Sequence, residues 1–407
     1  MLKVHYPDRS GSFKVTAHKK GLNMSKSASF FMPVVSLFGA NVLSELATRV
    51  ASLGGKKPLV VTDKGMTQLG YTKQVTDLLD QANIAYAVFD ETVPNPTDKN
   101  VEEGVGAYNK SQCDMLISLG GGSSHDCCKA IGLVISNGGA IADYEGVDQL
   151  KTNLPPYVAI NTTAGTASEL TRFTIITNTS NHVKMAIVDW RVTPDVAIND
   201  PLLMVNMPPS LTAATGMDAL THAVEAYVST AASPITDACA LQAIRLISRY
   251  LRVAVARGDD LEARDRMAYA QFLAGMAFNN ASLGHVHAMS HQLGGMYDLP
   301  HGVCNALLLP HVCEANLMSA QERYADIAEA LGENTYGLPV REAAEMAIVA
   351  IRCLSADVGI PSTLSELGVL DKDIDTMVKH AQQDVCAATN PRRLNDKEVA
   401  AIFRAAM

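Results

Sequence analysis

Short apolar runs alternate with amphipathic stretches over the first half of the chain. The runs predict buried strands at residues 58–62, 84–89, 115–119 and 158–160. Between the runs, apolar residues recur with the helical period, as Val75, Leu78 and Leu79 do after the first one. Strands that are apolar on both faces and separated by helices form a parallel sheet covered on both sides. Two later runs, at 185–188 and 196–198, have no helix between them and predict a hairpin.

The pattern changes after Pro208 and Pro209. Beyond them Ala, Leu and Met dominate, and Ser210 or Thr212 is expected to cap the first helix. Helical periodicity then recurs at residues 240–255, 262–278, 323–331 and 340–354. We therefore predict an α/β fold, in which an N-terminal parallel-sheet domain is followed by an all-helical domain, with bounds at 24–205 and 206–407.

Composition excludes several classes of protein. Of 407 residues, 48% are hydrophobic and 18% charged, which is typical of a water-soluble globular enzyme. The net charge of −9 argues against a nucleic-acid partner, because phosphate binding requires a basic face. Uninterrupted apolar runs fall short of the roughly 20 residues of a membrane span, so no membrane partner is expected.

The cysteines and the first residues bear on location. The eight cysteines contain no Cys-x-x-Cys pair, which indicates free thiols in a reducing compartment and predicts a cytoplasmic protein. Residues 1–23 are polar and basic, without the apolar core of a secretory signal. We expect a disordered extension there, with an organelle-targeting role as the alternative and Met24 as a possible natural start.

Two glycine- and threonine-rich segments follow predicted strands. Gly120, Gly121, Gly122 and Ser123 come directly after the third strand, where glycines let backbone N–H groups approach an anion at the start of a helix. A tight turn is the simpler explanation of the same glycines. The hydroxyls of Thr162, Thr163 and Thr166 suit phosphate or ribose oxygens, or cap a helix near Ser168 and Glu169. Together these segments predict a dinucleotide site, to which Asp126 also belongs.

Asp63 ends the first predicted strand. A carboxylate there accepts hydrogen bonds from ribose hydroxyls and repels a 2′-phosphate, so it favours NAD over NADP. A turn-forming role is the alternative for an acidic residue at this position.

The helical half holds a group of residues that suit a metal ion. Asp218 and His222 are four residues apart, which places them on one helix face. His287 and His291 repeat that spacing, and His301 follows Pro300. Imidazoles and a carboxylate suit Fe(II), Zn(II) or Mn(II), and an incomplete ligand set leaves room for substrate.

Such a site beside a dinucleotide predicts alcohol oxidation. A divalent ion stabilises the negative charge that forms when an alcohol loses its proton, and the carbon then transfers hydride to nicotinamide. The spacing leaves open whether His287 or His291 is the ligand. We expect His291 to be the non-ligand that relays the proton or orients the substrate.

These motifs resemble those of the iron-dependent, group III alcohol dehydrogenases from about Phe30 to the C-terminus. The resemblance rests on residues 94–97, 120–129, 162–166, 216–222, 287–291 and 300–302, and on Lys184 before an apolar run. It implies a two-domain fold, one divalent ion per chain held by Asp218, His222, His287 and His301, and His291 as a nearby non-ligand. Fe(II) is the expected ion, with Zn(II), Mn(II) or Mg(II) as alternatives. The cofactor site that it implies is lined by Asp63, Asn95, Gly121, Gly122, Thr162, Thr163 and Lys184.

The segments 123–127 and 278–284 look similar to the NAD-dependent methanol dehydrogenases of this family. Gln292 and Ser124 depart from the family pattern, which has proline at these positions in many members. We therefore expect reversible NAD-dependent oxidation of short primary alcohols, from methanol to butanol, by a homo-oligomer. The alternatives are a diol or glycerol dehydrogenase, an aldehyde reductase, and a non-catalytic metal or nucleotide sensor. A cyclase of the dehydroquinate synthase type is disfavoured because residues 278–302 contain no Lys or Arg.

Overall fold

The computed structural model describes residues 29–180 and 183–407, so the prediction for residues 1–23 lies outside the described residues. The described part of the first half contains nine strands, in the order Val35–Phe38 (β1), Pro58–Val61 (β2), Ala87–Phe89 (β3), Met115–Gly120 (β4), Gly146–Val147 (β5), Tyr157–Asn161 (β6), Phe173–Asn178 (β7), Val183–Val188 (β8) and Val196–Asn199 (β9). Five α-helices accompany them: Leu46–Ser52 (α1), Lys64–Gln68 (α2), Tyr71–Gln81 (α3), Asp98–Ser111 (α4) and Gly122–Asn137 (α5).

Six strands form a parallel sheet in the order β1-β9-β6-β4-β2-β3. Alternate residues of each strand point to opposite faces, so Val60 packs with α1 and α3 while Leu59 and Val61 pack with α4 and α5. Strands β2, β4, β6 and β9 are buried on both faces, which explains their continuous apolar sequences. The predicted parallel sheet is confirmed, and its strands β4 and β6 end at the glycine and threonine segments.

The predicted hairpin of residues 185–188 and 196–198 is wrong. Strand β8 instead pairs antiparallel with β7, with β5 on its other side, in a separate three-stranded sheet. Strand β9 enters the parallel sheet between β1 and β6. Its four residues are all buried, as a central strand requires, whereas β8 exposes Val183 at one end. Apolar runs mark strands but do not specify their partners.

The second half is helical. Its helices are Pro209–Val228 (α6), Pro234–Ala256 (α7), Leu261–Ala281 (α8), His285–Tyr297 (α9), His301–Asn316 (α10), Gln321–Leu331 (α11), Val340–Asp357 (α12), Ile374–Gln383 (α13) and Asp396–Ala405 (α14). Almost every residue of α6 beyond its first turn is buried, because α7, α8 and α10 pack around it. The change from strands to helices at Pro209 agrees with the sequence pattern; the division at residue 205 into two domains stays a prediction.

The predicted cap of α6 is wrong. Pro208 occupies the N-cap position and Pro209 the first helical position, so Ser210 lies inside the first turn. Proline suits that start because its fixed φ matches the helix and its missing N–H would have no partner there. The Thr212 hydroxyl instead accepts a hydrogen bond from Nη1 of the buried Arg264, at 2.8 Å.

Two general predictions concern cysteines and membranes. All eight cysteines are free thiols, seven of them buried and Cys353 exposed, as the sequence predicts. Within residues 29–180 and 183–407, no helix combines the length and apolar character that a bilayer crossing requires.

Candidate active site

Helix α6 carries two polar residues into the centre of the helical half. Asp218 and His222 lie one turn apart and are 2% and 4% exposed. The His222 ring stacks on Phe278 of α8, with ring centroids 4.2 Å apart. A carboxylate buried this deeply is unfavourable unless a partner compensates its charge.

Helices α9 and α10 bring two histidines to the same place. Oδ1 of Asp218 lies 3.8, 3.9 and 3.6 Å from Nε2 of His222, His287 and His301. One ligand atom from each residue lies within 4.8 Å of every other. We call these four residues the His–Asp cluster. The structure thus brings together all four residues that the family resemblance implies as metal ligands.

The geometry and chemistry of the His–Asp cluster fit a divalent ion. Four atoms about 2.1 Å from one ion in a tetrahedral arrangement are roughly 3.4 Å apart, a few tenths of an ångström less than the separations from Asp218. Three imidazoles and one carboxylate form a donor set that Fe(II), Zn(II) and Mn(II) accept. Burial and the neighbouring His222 lower the pKa of His287 well below its usual value, so this imidazole is neutral and able to bind a metal.

Asn305 contacts the His–Asp cluster from the second turn of α10. Its Nδ2 lies 2.7 Å from Oδ1 of Asp218, and 3.1 and 3.0 Å from Nε2 of His287 and His301. Its Oδ1 is buried without a hydrogen-bond partner. The amide therefore donates to the same inward-facing atoms that suit a cation, a contact that was not predicted from the sequence.

Two carboxylates hold histidines of this region by Nδ1. Oε2 of Glu225 lies 2.6 Å from Nδ1 of His287, and Oδ2 of Asp384 lies 2.7 Å from Nδ1 of His291. Burial raises the pKa of Glu225 to about 7, although backbone hydrogen bonds oppose it. Burial also disfavours ionised Asp384, but the charge of His291 and its hydrogen bond outweigh burial and lower the pKa of Asp384 to about 2. Neither carboxylate was predicted from the sequence.

His291 lies beside the His–Asp cluster but belongs to a different group, with Asp384 and Cys386. Its ring stacks on the His301 ring, with centroids 5.5 Å apart and planes 16° from parallel. Because Nδ1 bonds to Asp384, only Nε2 remains to act toward the cluster. This position agrees with the expected non-ligand role, which stays a prediction.

The glycine turn consists of Gly120, Gly121 and Gly122 between β4 and α5. Gly120 has a φ of +145°, and a Cβ there would collide with the Ser124 side chain. A Cβ on Gly121 would lie 2.9 Å from Thr163, and one on Gly122 3.1 Å from Thr166. Side chains are therefore excluded from the turn, and the N-terminus of α5 follows with no side-chain cap. Ser123, in the first turn of α5, is partly exposed beside it.

The threonine loop, residues 162–166, packs against the glycine turn. The Thr162 N–H donates to the Gly120 carbonyl at 3.0 Å, and the Thr166 hydroxyl accepts from the Ser168 N–H at 3.3 Å. The helix expected near Ser168 is a single 3-10 turn, Ser168–Leu170. Thr163 is partly exposed beside the glycines, and its hydroxyl makes a long hydrogen bond to Oδ1 of Asn161, at 3.4 Å.

Two acidic residues of the predicted cofactor site have protein partners. One Asp63 oxygen accepts from the Met66 N–H at 3.0 Å and caps α2, and the other accepts from the Ser124 hydroxyl at 3.4 Å.

Asp126 accepts from the Ser168 hydroxyl and from the Ile175 N–H, at 2.6 and 3.0 Å. Asp126 therefore joins α5 to β7 through both of its carboxylate oxygens, and its role toward a cofactor stays a prediction.

Asn95 and Lys184 reach across to the helical half. Asn95, with a φ of 55°, accepts from Nζ of Lys184 at 2.8 Å and donates to Asp298 at 2.9 Å. Asp298 lies between α9 and α10, next to the His301 end of the His–Asp cluster. Burial lowers the pKa of Lys184, and the Asp298 charge opposes that effect.

The threonine loop also connects the two halves. A Cβ on Gly165 would lie 2.6 to 2.9 Å from Thr215, which precedes Asp218 by one turn on α6. The glycine turn contacts the threonine loop, and the loop contacts α6. The predicted dinucleotide site and the His–Asp cluster are therefore neighbours in the fold.

Comparisons with known proteins identify the family. The profile described as iron-containing alcohol dehydrogenase matches residues 33–201, and the profile of the C-terminal part of the Fe-containing alcohol dehydrogenase family matches residues 212–407. Together the two profiles assign almost the whole described chain to a class of metal-containing oxidoreductases. The chain belongs to the iron-containing alcohol dehydrogenase family, as its motifs indicate.

Individual relatives agree. The chain is 55% identical to 1,3-propanediol dehydrogenase of Klebsiella pneumoniae, over 93% of this chain and 98% of the relative. It is 49% identical to the NAD-dependent methanol dehydrogenase of Bacillus methanolicus, over 93% of this chain and 100% of the relative. A crystal structure of 1,3-propanediol oxidoreductase superposes with a TM-score of 0.93 and 54% identity, covering 94% of this chain and 100% of the other. Segments 123–127 and 278–284 look similar to the methanol dehydrogenases. Over the whole chain, however, sequence identity to the methanol dehydrogenase is lower than to the 1,3-propanediol dehydrogenase.

Proposed function

We propose that the chain oxidises short primary alcohols to aldehydes with NAD, and that it catalyses the reverse reduction. The observation that carries this proposal is the convergence of Asp218, His222, His287 and His301 on one point beside the glycine and threonine segments. The proposed cofactors are NAD, named for the methanol dehydrogenase relative, and one divalent ion, with Fe(II) preferred because the family is named for iron.

The His–Asp cluster would hold the ion. A bound divalent ion supplies charge stabilisation at the alcohol oxygen as its proton leaves. The imidazoles would supply lone pairs at Nε2, and Asp218 would supply negative charge that balances the cation. His287 and Asp218 are almost fully buried while His301 is 34% exposed, so the open approach for a substrate is on the His301 side.

His291 is the proposed catalytic residue on that side. When Asp384 accepts a hydrogen bond from Nδ1–H of His291, Nε2 presents a lone pair that would receive the alcohol proton. The side chain is 23% exposed, which gives the proton a route to solvent. Asp384 stabilises the imidazolium that forms.

The glycine turn and the threonine loop would bind the NAD pyrophosphate. Backbone N–H groups at the start of α5 and the nearby Thr163 hydroxyl are donors for phosphate oxygens. Ser123 and Thr166 lie beside them. Asn95 and Lys184, which link this side to Asp298, would place the nicotinamide end near the His–Asp cluster.

A small diol is the second candidate substrate. It is favoured by 55% identity to a 1,3-propanediol dehydrogenase, against 49% to the methanol dehydrogenase. Both candidates present a primary hydroxyl, so the chemistry at the His–Asp cluster is the same. A homo-oligomeric state and a cytoplasmic location stay predictions from the sequence.

The test is NADH formation at 340 nm by protein loaded anaerobically with Fe(II). The panel is methanol, ethanol, propanol, butanol and 1,3-propanediol, and the metal-stripped protein is the control. The highest kcat/KM among them identifies the substrate class. NADH binding without turnover of any alcohol would contradict the proposal and indicate a sensor.

A further inference from the structure

Glu225 is a buried carboxylate that the proposed reaction does not use. It lies three residues after His222 and seven after Asp218, so the three residues share one face of α6. It is 4% exposed, and its side chain reaches the beginning of α9. Its role must therefore come from its contacts with α9.

Both carboxylate oxygens bind the first turn of α9. Oε1 accepts from the Val286 N–H at 2.7 Å, and Oε2 lies 2.6 Å from Nδ1 of His287. The residue that precedes this helix is Gly284, which has no side chain to cap it. Glu225 thus supplies from α6 the cap that α9 lacks, and the same group holds His287.

These contacts determine which nitrogen of His287 carries the proton. The Nδ2 group of Asn305 can only donate, and it lies 3.1 Å from Nε2 of His287, so Nε2 is the acceptor while Oε2 of Glu225 faces Nδ1. The proton of His287 is therefore on Nδ1, and Nε2 has a lone pair. Nε2 is the atom that lies 3.9 Å from Oδ1 of Asp218 within the His–Asp cluster.

We propose that Glu225 is a positioning residue that fixes the tautomer and orientation of His287 for a divalent ion. This inference rests on the proposed metal site. Carboxylates that hold a metal-binding histidine by its other nitrogen increase metal affinity by about 10- to 100-fold. Capping alone would stabilise α9 without changing that affinity, so affinity separates the two roles.

The test is a titration of metal-stripped protein with Co(II), followed by its visible absorption. Glu225→Gln is expected to weaken Co(II) binding by about 10- to 100-fold. An amide cannot accept from both Val286 and His287 through its two ends, and its N–H₂ end would drive the imidazole proton to Nε2. The shape of the absorption bands is also expected to change, because they report the ligands of the ion.

Glu169→Gln is the matched control. Glu169 is also fully buried, and burial raises its pKa to about 7, but it accepts from Gln271 at 2.6 Å and not from a histidine of the cluster. The Co(II) affinity of Glu169→Gln is expected to equal that of the unchanged protein. Circular dichroism of each metal-stripped variant checks that the fold is retained.

Equal Co(II) affinity and equal spectra for Glu225→Gln and the unchanged protein would overturn the inference. If Glu225→Gln does not fold, Glu225→Asp takes its place. That variant keeps the charge but is one methylene too short to reach both partners, and weaker Co(II) binding is again expected. Unchanged binding would again overturn the inference. Failure of the unchanged protein to bind Co(II) would instead contradict the proposed metal site.

Discussion

His222 is a buried member of the His–Asp cluster, and its Nε2 lies 3.8 Å from Oδ1 of Asp218. We expect His222→Ala to lose bound metal and NADH formation together, because one of four donors is removed from the ion. Metal per chain by elemental analysis and the rate at 340 nm measure both. His380→Ala, on the exposed side of α13, is the control. Retention of both metal and activity by His222→Ala would show that the residue is structural.

Asp384 holds Nδ1 of His291 as Glu225 holds Nδ1 of His287. We expect Asp384→Asn to lower kcat by about 10²- to 10⁴-fold, the usual size of a general acid–base contribution, while bound metal is retained. The amide would donate to Nδ1 and move the ring proton to Nε2, where a proton acceptor is needed. Asp373→Asn, which alters a carboxylate bonded to Tyr297, is the control. An unchanged kcat for Asp384→Asn would remove His291 from the mechanism.

At the scale of elements, the contact between α6 and α10 sets the position of His301. A Cβ on Gly302 would collide with the Ala214 carbonyl oxygen and lie 3.3 Å from Cβ of Asp218. We expect Gly302→Ala to cost about 1–3 kcal/mol of stability, as overpacking does, and to weaken metal binding by displacing His301. Urea unfolding and Co(II) titration measure the two effects.

Gly295→Ala is the control for Gly302→Ala. Gly295 is exposed on α9, and a Cβ there would meet nothing within 4 Å. Alanine in a helix is favoured over glycine by about 0.5–1 kcal/mol, so the control is expected to be slightly more stable and to bind metal normally. Equal behaviour of the two variants would mean that α10 tolerates a shift without loss of the site.

The turn between β4 and α5 allows the cofactor side to be tested separately. We expect Gly120→Ala to weaken NADH binding and to leave metal content unchanged, because a side chain is strained at a φ of +145° and collides with Ser124. Quenching or enhancement of NADH fluorescence gives the dissociation constant. Gly106→Ala on α4, where a Cβ meets nothing within 4 Å, should bind NADH normally. Normal binding by Gly120→Ala would contradict the proposed phosphate site.

Over the whole molecule, the sequence predicts what depends on local pattern. The buried strands and the His–Asp cluster were predictable, the first from continuous apolar runs and the second from two four-residue spacings and family motifs. The carboxylates that hold the histidines were not predictable, because they lie far from those histidines along the chain. Asp384 is 93 residues from His291, and Glu225 is 62 residues from His287. Only Glu225 gave a local signal, since it shares a helix face with Asp218 and His222. The pairing of β8 with β7 was likewise not predictable, because it depends on which sheet edges are free in the fold and not on local pattern.

Metal binding is expected to stabilise the whole chain, because the His–Asp cluster draws its members from α6, α9 and α10. A ligand that binds only the folded state adds about 2.7 kcal/mol at a free concentration of about 100 times its Kd. In a chain of this length, that free energy raises the unfolding midpoint by a few degrees at most. We expect a chelator to lower the midpoint by that amount, measured by circular dichroism, and Co(II) or Zn(II) to restore it. His222→Ala should show the lower midpoint with or without metal. A midpoint that responds to metal equally in both proteins would place the stabilising ion elsewhere in the molecule.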